Sequence, residues 1–422
     1  MNKKQDKIIK YNKKLLIVIS IIIILILALI AILAKFTLTE NTKKETKAGK
    51  DEQIVQEEGS AKQNVLESEA DNSNKLKLSK YAEIAEEKLK ELTEDEIIAQ
   101  LFLVGTHTTS DLEALKQKQF GGYLFFADFF KDKTESQIQG EIKEFNASSK
   151  IPLLIAVDEE GGRVVRVSSN NKLINEPFKY SSEIYQNEGF EGIKKDTINK
   201  SKFLSNLGIN LNLAPVVDIC ENETDYMYKR SFKQGKELTS TFAKTVIKAS
   251  KESNVSYALK HFPGYGNNVD THKTTSIDER TYEDIYNNDL EPFRAGIEEG
   301  AEAILISHNV VTSIDPENPA SLSPKIHTLL RKDLEFEGII ITDAMNMGAI
   351  VNEYGTEDAI VKAILAGNDF IIVTINKSSK ETYDDIINAV KTAINSGKIS
   401  KEDIYEKAKN IIAWKCYKGM LQ

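Results

Sequence analysis

Eight apolar runs of strand length recur between residues 101 and 373, and this repetition constrains the fold more than any other feature of the chain. They occupy residues 101–104, 123–126, 153–157, 209–217, 256–259, 303–306, 338–341 and 370–373. Most are apolar throughout rather than at alternate positions, the pattern of strands covered on both faces. Helical periodicity fills intervals between them, at 137–146, 192–207, 238–252, 290–299 and 356–366. Buried strands separated by helices predict a parallel sheet, and eight of them over roughly 340 residues predict a closed (β/α)₈ barrel of the TIM type. The rival is an open doubly wound sheet, whose Gly-x-Gly-x-x-Gly turn does not follow the first run. Ahead of the first strand, the pattern predicts an amphipathic helix over 81–92, and Thr93-Glu94-Asp95-Glu96 reads as the capped start of a second.

The N-terminal part reads differently. Residues 15–34 are Leu, Ile, Val and Ala, interrupted only by Ser20, and a run of about 20 such residues matches a bilayer span. Lys3, Lys4, Lys7, Lys10, Lys13 and Lys14 precede it, which favours keeping that end in the cytoplasm. A secretory signal peptide is the rival, but its apolar region usually runs to only ~7–15 residues. Ile32-Leu33-Ala34 is the one weak cleavage site, and no cysteine follows to take a lipid. The expectation is a single-pass anchor in the cell membrane with the rest of the chain outside. Residues 35–78 are rich in Lys, Glu, Asn, Ser and Gln, too polar to offset their ordering entropy, and predict a flexible linker. The expected division is a basic cytoplasmic tail at 1–14, the transmembrane anchor at 15–34, the linker at 35–78 and the barrel at 79–422.

Polar residues gather at one end of the predicted strands. Asp158 follows the third run, Asp218 the fourth, Lys260 and His261 the fifth, Ser307-His308-Asn309 the sixth, and Thr342-Asp343 the seventh. Barrel enzymes carry their active sites at the C-terminal strand ends, so this clustering predicts an enzyme. Asp343 suits a nucleophile, a metal ligand or a general base; its plainer reading is a helix N-cap. His272, with Asp270 two residues before it, suits a general acid/base oriented by a carboxylate, or an idle surface pair. The segment Asp158-Glu159-Glu160-Gly161-Gly162-Arg163-Val164-Val165-Arg166 suits sugar hydroxyls or an anionic group, or else a solvated turn with ion pairs. Asp218 equally suits a buried carboxylate holding neighbouring loops, and Arg230 is open to both readings. His261, His272, His308 and Asp343 show no spacing of a recognised metal site, so no metal and no cofactor are expected. The net charge of −9, without a basic stripe, excludes nucleic acid as a partner. Cys220 and Cys416 lie far apart; two unpaired thiols are expected, a single long-range disulfide being the alternative.

This constellation resembles glycoside hydrolase family 3, specifically its single-domain β-N-acetylglucosaminidases. The resemblance is carried by Val157-Asp158-Glu159-Glu160-Gly161-Gly162-Arg163-Val164, Asn212-Leu213-Ala214-Pro215-Val216-Val217-Asp218, Arg230-Ser231-Phe232, Lys260-His261-Phe262-Pro263-Gly264, Asp270-Thr271-His272 and Ile341-Thr342-Asp343-Ala344. Ala320-Ser321-Leu322-Ser323 and Leu329-Leu330-Arg331 fit as well. The resemblance implies the same barrel, now as a catalytic domain. It implies Asp343 as the nucleophile of a glycosyl-enzyme intermediate and His272 as the acid/base, with Asp270 holding its imidazole. It implies Asp158, Arg166, Arg230, Lys260, His261 and His308 as residues around the terminal sugar. A histidine titrates near neutrality and, when neutral, does not repel an anion, so the acceptor is open between water and phosphate.

Three departures stand out. The family's Gly-His-Gly is Gly264-Tyr265-Gly266 here, with a shorter loop to Asp270. Arg230-Ser231-Phe232 continues as Lys233-Gln234 rather than Gly-x-Asp-Pro. Two-domain members carry the acid/base on a second domain, for which 79–422 is expected to have no room. The resulting expectation is a retaining exo-β-N-acetylglucosaminidase releasing terminal GlcNAc from peptidoglycan fragments or related glycans. A β-glucosidase or β-xylosidase and a non-catalytic glycan-binding protein are the alternatives.

Overall fold

The computed structural model describes residues 78–107, 115–266, 270–271, 275–374 and 382–421. The predicted tail at 1–14 and anchor at 15–34 lie outside them, as does the linker at 35–78 except for Leu78, which opens a helical turn, Leu78–Tyr81. Among the described residues no helix is long and apolar enough to cross a membrane.

Ten strands are present among the described residues: β1 (Phe102–Thr106), β2 (Gly122–Phe125), β3 (Leu154–Val157), β4 (Leu211–Asn212), β5 (Ser256–Phe262), β6 (Ile277–Asp278), β7 (Ala303–Ile306), β8 (Val310–Val311), β9 (Ile339–Thr342) and β10 (Ile371–Thr374). Eight form one sheet in the order β10-β1-β2-β3-β4-β5-β7-β9, while β6 and β8 pair separately. Every neighbouring pair is parallel. The two ends of the order meet, because Ile341 bridges Phe370 and the Thr342 N–H donates to the Phe370 carbonyl at 3.0 Å. The sheet is therefore a closed barrel, as the eight apolar runs require.

Among the described residues, ten helices of six residues or more surround these strands: α1 (Ala82–Leu89), α2 (Glu94–Ala99), α3 (Glu135–Ala147), α4 (Ser181–Asn206), α5 (Lys236–Ser250), α6 (Leu290–Glu298), α7 (Gly348–Tyr354), α8 (Thr356–Ala366), α9 (Tyr383–Asn395) and α10 (Lys401–Tyr417). Thr93 caps α2 with Glu96 answering, and Thr134 with Gln137 and Thr382 with Asp385 do the same for α3 and α9. Strands such as Ile339–Thr342 and Ile371–Thr374 are β-branched and fully buried, so one face fills the barrel while the other meets helices.

Two expectations shift. The fourth run, 209–217, yields only the two paired residues of β4, because Pro215 offers no N–H to a ladder; beyond it a lone bridge joins Val216 to Lys260. The fifth runs on to Phe262, so Lys260 and His261 belong to the strand itself. Both cysteines are free and buried. At the opposite barrel end, Lys415 of α10 is fully buried, donating to Gly121 O at 2.8 Å and Gln100 Oε1 at 3.2 Å. Burial pushes this ammonium down to about 7.

Candidate active site

The chain turns sharply after β3, and buried side chains set the turn. Asn212 of β4 accepts the Glu159 N–H at 2.9 Å and donates to its carbonyl at 3.1 Å. The Glu159 carboxylate is wholly buried and collects the N–H groups of Arg166 and Val167 at 2.8 Å each, together with the Ser168 hydroxyl. Burial pushes this carboxyl up against the pull of those donors. The loop from 159 to 168 is thus closed around a single acid.

The residues on either side of Glu159 meet β5. Lys260 Nζ lies 2.7 Å from Asp158 Oδ1 and 2.7 Å from Glu160 Oε1. Glu160 also accepts two bonds from Arg230, from Nη2 at 2.6 Å and Nε at 3.0 Å. Two acids and two bases form a charge-balanced quartet. Burial alone would raise the Glu160 carboxyl, but Lys260 and Arg230 outweigh it and hold the group well below the usual carboxylate range. Burial likewise works against the Lys260 ammonium, and Asp158 and Glu160 more than restore it. Each charge therefore survives out of water because its partners are in place.

His261 comes next on β5, where the pairing register with β7 shifts between Leu259 and Phe262. Successive strand residues ordinarily face opposite sides, and this irregularity brings Lys260 and His261 to the same cluster. The Lys260–His261, Ala214–Pro215 and Phe262–Pro263 peptide bonds are cis. His261 Nδ1 donates to Asp218 Oδ2 at 2.7 Å, which leaves Nε2 to face Arg230 Nη2 at 3.5 Å. Asp218 Oδ1 accepts the backbone N–H groups of His261 and Tyr265, at 3.2 and 2.8 Å. Asp218 is 1% exposed, the loop-holding carboxylate of the alternative reading.

Beyond the Pro263-Gly264 turn the described chain resumes at Asp270 and Thr271; His272 lies outside the described residues. The Tyr265 hydroxyl accepts the Thr271 N–H at 3.1 Å and lies 3.0 Å from Thr271 Oγ1. Asp270 is hydrogen-bonded to Tyr226, whose phenol is pushed up first by burial and then by that carboxylate.

Asp343 follows β9 directly. Its N–H donates to Ile306 O at 2.9 Å, and its Oδ1 accepts the Ala344 N–H at 2.8 Å. It is not a helix N-cap, since α7 begins only at Gly348. His308 Nε2–H donates to Ala344 O at 3.0 Å, which leaves Nδ1 to accept the Ser321 hydroxyl at 2.7 Å. Both ring nitrogens are engaged, so His308 braces the residue after Asp343. Arg166 rests with its guanidinium 5.8 Å from the Phe126 ring, its Nε buried without a hydrogen-bond partner.

The strand ends thus bring Asp158, Glu160, Arg230, Lys260 and His261 into one hydrogen-bonded cluster, with Asp343 and His308 braced together just past β9 and β7. Sequence reasoning assigned no role to Glu160, the residue that joins Lys260 to Arg230. The available signal was its place beside Asp158 in an acidic pair ahead of two glycines. Tyr226 carries no signal, since an aromatic in a loop has no distinctive spacing, and Tyr265 stands out in the sequence only as the departure from Gly-His-Gly. Among the described residues, no group of three or more His, Cys, Asp or Glu side chains could hold a metal ion. A cavity of about 650 Å³ opens at the other barrel end, beside the Arg331–Asp369 ion pair and the start of β9, away from these groups.

Comparison with known proteins identifies the family. The Beta-hexosaminidase of Stenotrophomonas maltophilia (strain K279a) is 28% identical over 295 residues, 68% of this chain and 85% of that protein. Beta-hexosaminidase A of Pseudoalteromonas piscicida is 26% identical over 322 residues, covering 69% of this chain, which spans only 52% of that longer relative. A glycoside hydrolase family 3 beta-N-acetylglucosaminidase from Paenibacillus sp. str. FPU-7 superposes with a TM-score of 0.71 at 26% identity, over 78% of this chain and 63% of that one. The Glycosyl hydrolase family 3 N terminal domain matches residues 86–413, and the chain belongs to that family of glycoside hydrolases.

Proposed function

We propose that the protein is a retaining exo-β-N-acetylglucosaminidase that removes terminal β-linked GlcNAc, from peptidoglycan fragments or related glycans. The observation that carries this reading is the cluster of Asp158, Glu160, Arg230, Lys260 and His261 at the C-terminal barrel end that also bears Asp343. Fixed donors and acceptors suit the several hydroxyls of one sugar ring. The names of the hexosaminidase relatives support the choice of N-acetylated sugar.

In this reading Asp343 attacks the anomeric carbon. The bond to the glycosidic oxygen breaks as His272 delivers a proton to it, leaving a glycosyl ester on Asp343. His272, now a base, takes a proton from the incoming water, which displaces Asp343 and restores the β configuration. Asp270 holds the imidazole and balances the imidazolium. The apolar run at 15–34, with lysines before it, supports an outward-facing membrane-anchored enzyme, and proteolysis of intact cells tests that placement.

The test is a panel of 4-nitrophenyl β-glycosides differing at C2. Preference for the N-acetylglucosaminide is expected; preference for the glucoside or xyloside overturns the substrate, and inertness toward all of them overturns catalysis.

A further inference from the structure

Tyr265 carries a polar hydroxyl although the residue is only 3% exposed, and every polar atom of it is engaged. Its N–H donates to Asp218 Oδ1 at 2.8 Å, and its carbonyl accepts from Asn309 Nδ2 at 3.3 Å. Its hydroxyl accepts the Thr271 N–H at 3.1 Å and shares a second hydrogen bond with Thr271 Oγ1 at 3.0 Å. The Thr271 carbonyl in turn accepts the Ala349 N–H at 3.1 Å, near the start of α7. Thr271 is thus tied to β5 through one tyrosine and to the segment after Asp343 through its own backbone. Asp270 directly precedes it.

The backbone around Tyr265 has little freedom. A Cβ on Gly264 (φ 118°) would stand 2.5 Å from the Asp289 side chain, and one on Gly266 (φ 60°) 2.6 Å from the Arg280 guanidinium. Arg280 holds Asp289 at 2.8 Å and Asp278 at 2.7 Å, so the glycines pack onto an ion cluster. Tyr226, against which Asp270 lies, also packs on the Tyr265 ring at 5.8 Å between centroids.

We propose that the Tyr265 hydroxyl is a positioning element of the acid/base arm, setting Asp270 relative to the sugar-facing end of β5 by fixing Thr271. Asp218 extends the link, since one carboxylate holds both His261 and Tyr265. Catalysis by a proton donor is sensitive to displacement, and a misplacement of about 1 Å costs up to ~100-fold. This holds only where Asp270 serves the acid/base pair proposed above.

The experiment compares wild type, Tyr265→Phe, Thr271→Val and the double variant on the 4-nitrophenyl and methyl β-glycosides of one sugar. The methyl glycoside needs protonation of its leaving oxygen, whereas 4-nitrophenolate leaves with little help. For Tyr265→Phe, kcat/KM on the methyl glycoside is expected to fall ~10-fold or more, and on the 4-nitrophenyl glycoside by less than ~3-fold. Inhibition by the free sugar is expected to stay unchanged. Thr271→Val keeps the backbone bond to Tyr265, should lose less, and should add nothing to Tyr265→Phe in the double variant. An equal fall on both substrates, weaker inhibition by the sugar, or wild-type activity in Tyr265→Phe overturns the proposal. If Tyr265→Phe does not fold, Thr271→Val alone decides by the same substrate ratio. A wild-type protein inert toward both glycosides removes the glycosidase reading and this proposal with it.

Discussion

The Glu160 carboxylate and the Lys260 ammonium meet at 2.7 Å, where neither side chain is more than 5% exposed. Arg230 closes on the other face of the same carboxylate, so Glu160 bridges two cations, with Asp158 supplying the second negative charge. Glu160→Gln keeps the shape and removes the charge. It should lower stability by about 3–5 kcal/mol, read by denaturant unfolding, because it strands buried cations. The sign with pH follows from the lowered Glu160 carboxyl. The folded state binds fewer protons there than the unfolded chain, whose carboxyl titrates near ~4.3. The wild-type advantage over the Gln variant is therefore full above about pH 5 and shrinks as pH falls below the usual carboxylate range.

Asp343 is half-buried, with one carboxylate oxygen on the neighbouring Ala344 N–H. Asp343→Ala should lower kcat by at least ~10³-fold while stability changes by less than ~1 kcal/mol. Steady-state kinetics on the preferred aryl glycoside, with a thermal melt, checks both. Near-normal turnover would remove Asp343 as the nucleophile.

Asp270→Asn keeps the size of the side chain and removes the charge that would hold a histidine. A fall in kcat of ~10²–10⁴-fold on substrates with poor leaving groups is expected, with KM little changed. A rise in KM alone would mark Asp270 as a binding residue instead.

Gly266 has no room for a methyl group, and its φ of 60° is one that L side chains seldom adopt. Gly266→Ala should cost roughly 1–3 kcal/mol of stability, measured by denaturant midpoint. Activity should fall with it, since Arg280 must yield and the turn bearing Tyr265 shifts.

Lys415 gives a pH signature from the other end of the barrel. With its ammonium held down to about 7, the folded state binds fewer protons than the unfolded chain between that value and the ordinary lysine value of 10.5. Stability should therefore rise with pH across that interval, and Lys415→Met should flatten the slope in a series of melts.

The barrel was legible because strands buried on both sides leave unbroken apolar runs, and all eight expected runs contribute to it. Where one run misled, at 209–217, proline removed the ladder donor that apolar character alone does not reveal. The strand-end residues Asp158, Lys260, His261 and Asp343 were legible by position, since the polar residue after an apolar run lies at the barrel rim. Glu160 was not, because its importance lies in Arg230, 70 positions away, and distant ion pairing leaves no local pattern. Nor does sequence show that Glu159 turns inward while its two acidic neighbours face Lys260.

That inward turn of Glu159 has a thermodynamic consequence. Its carboxylate gathers the donors of Arg166, Val167 and Ser168, so the course of the 159–168 loop is set by contacts within the protein itself. In the proposed reading, a sugar binding beside that loop would forgo the entropy loss of loop ordering, which lowers the contact energy its capture requires.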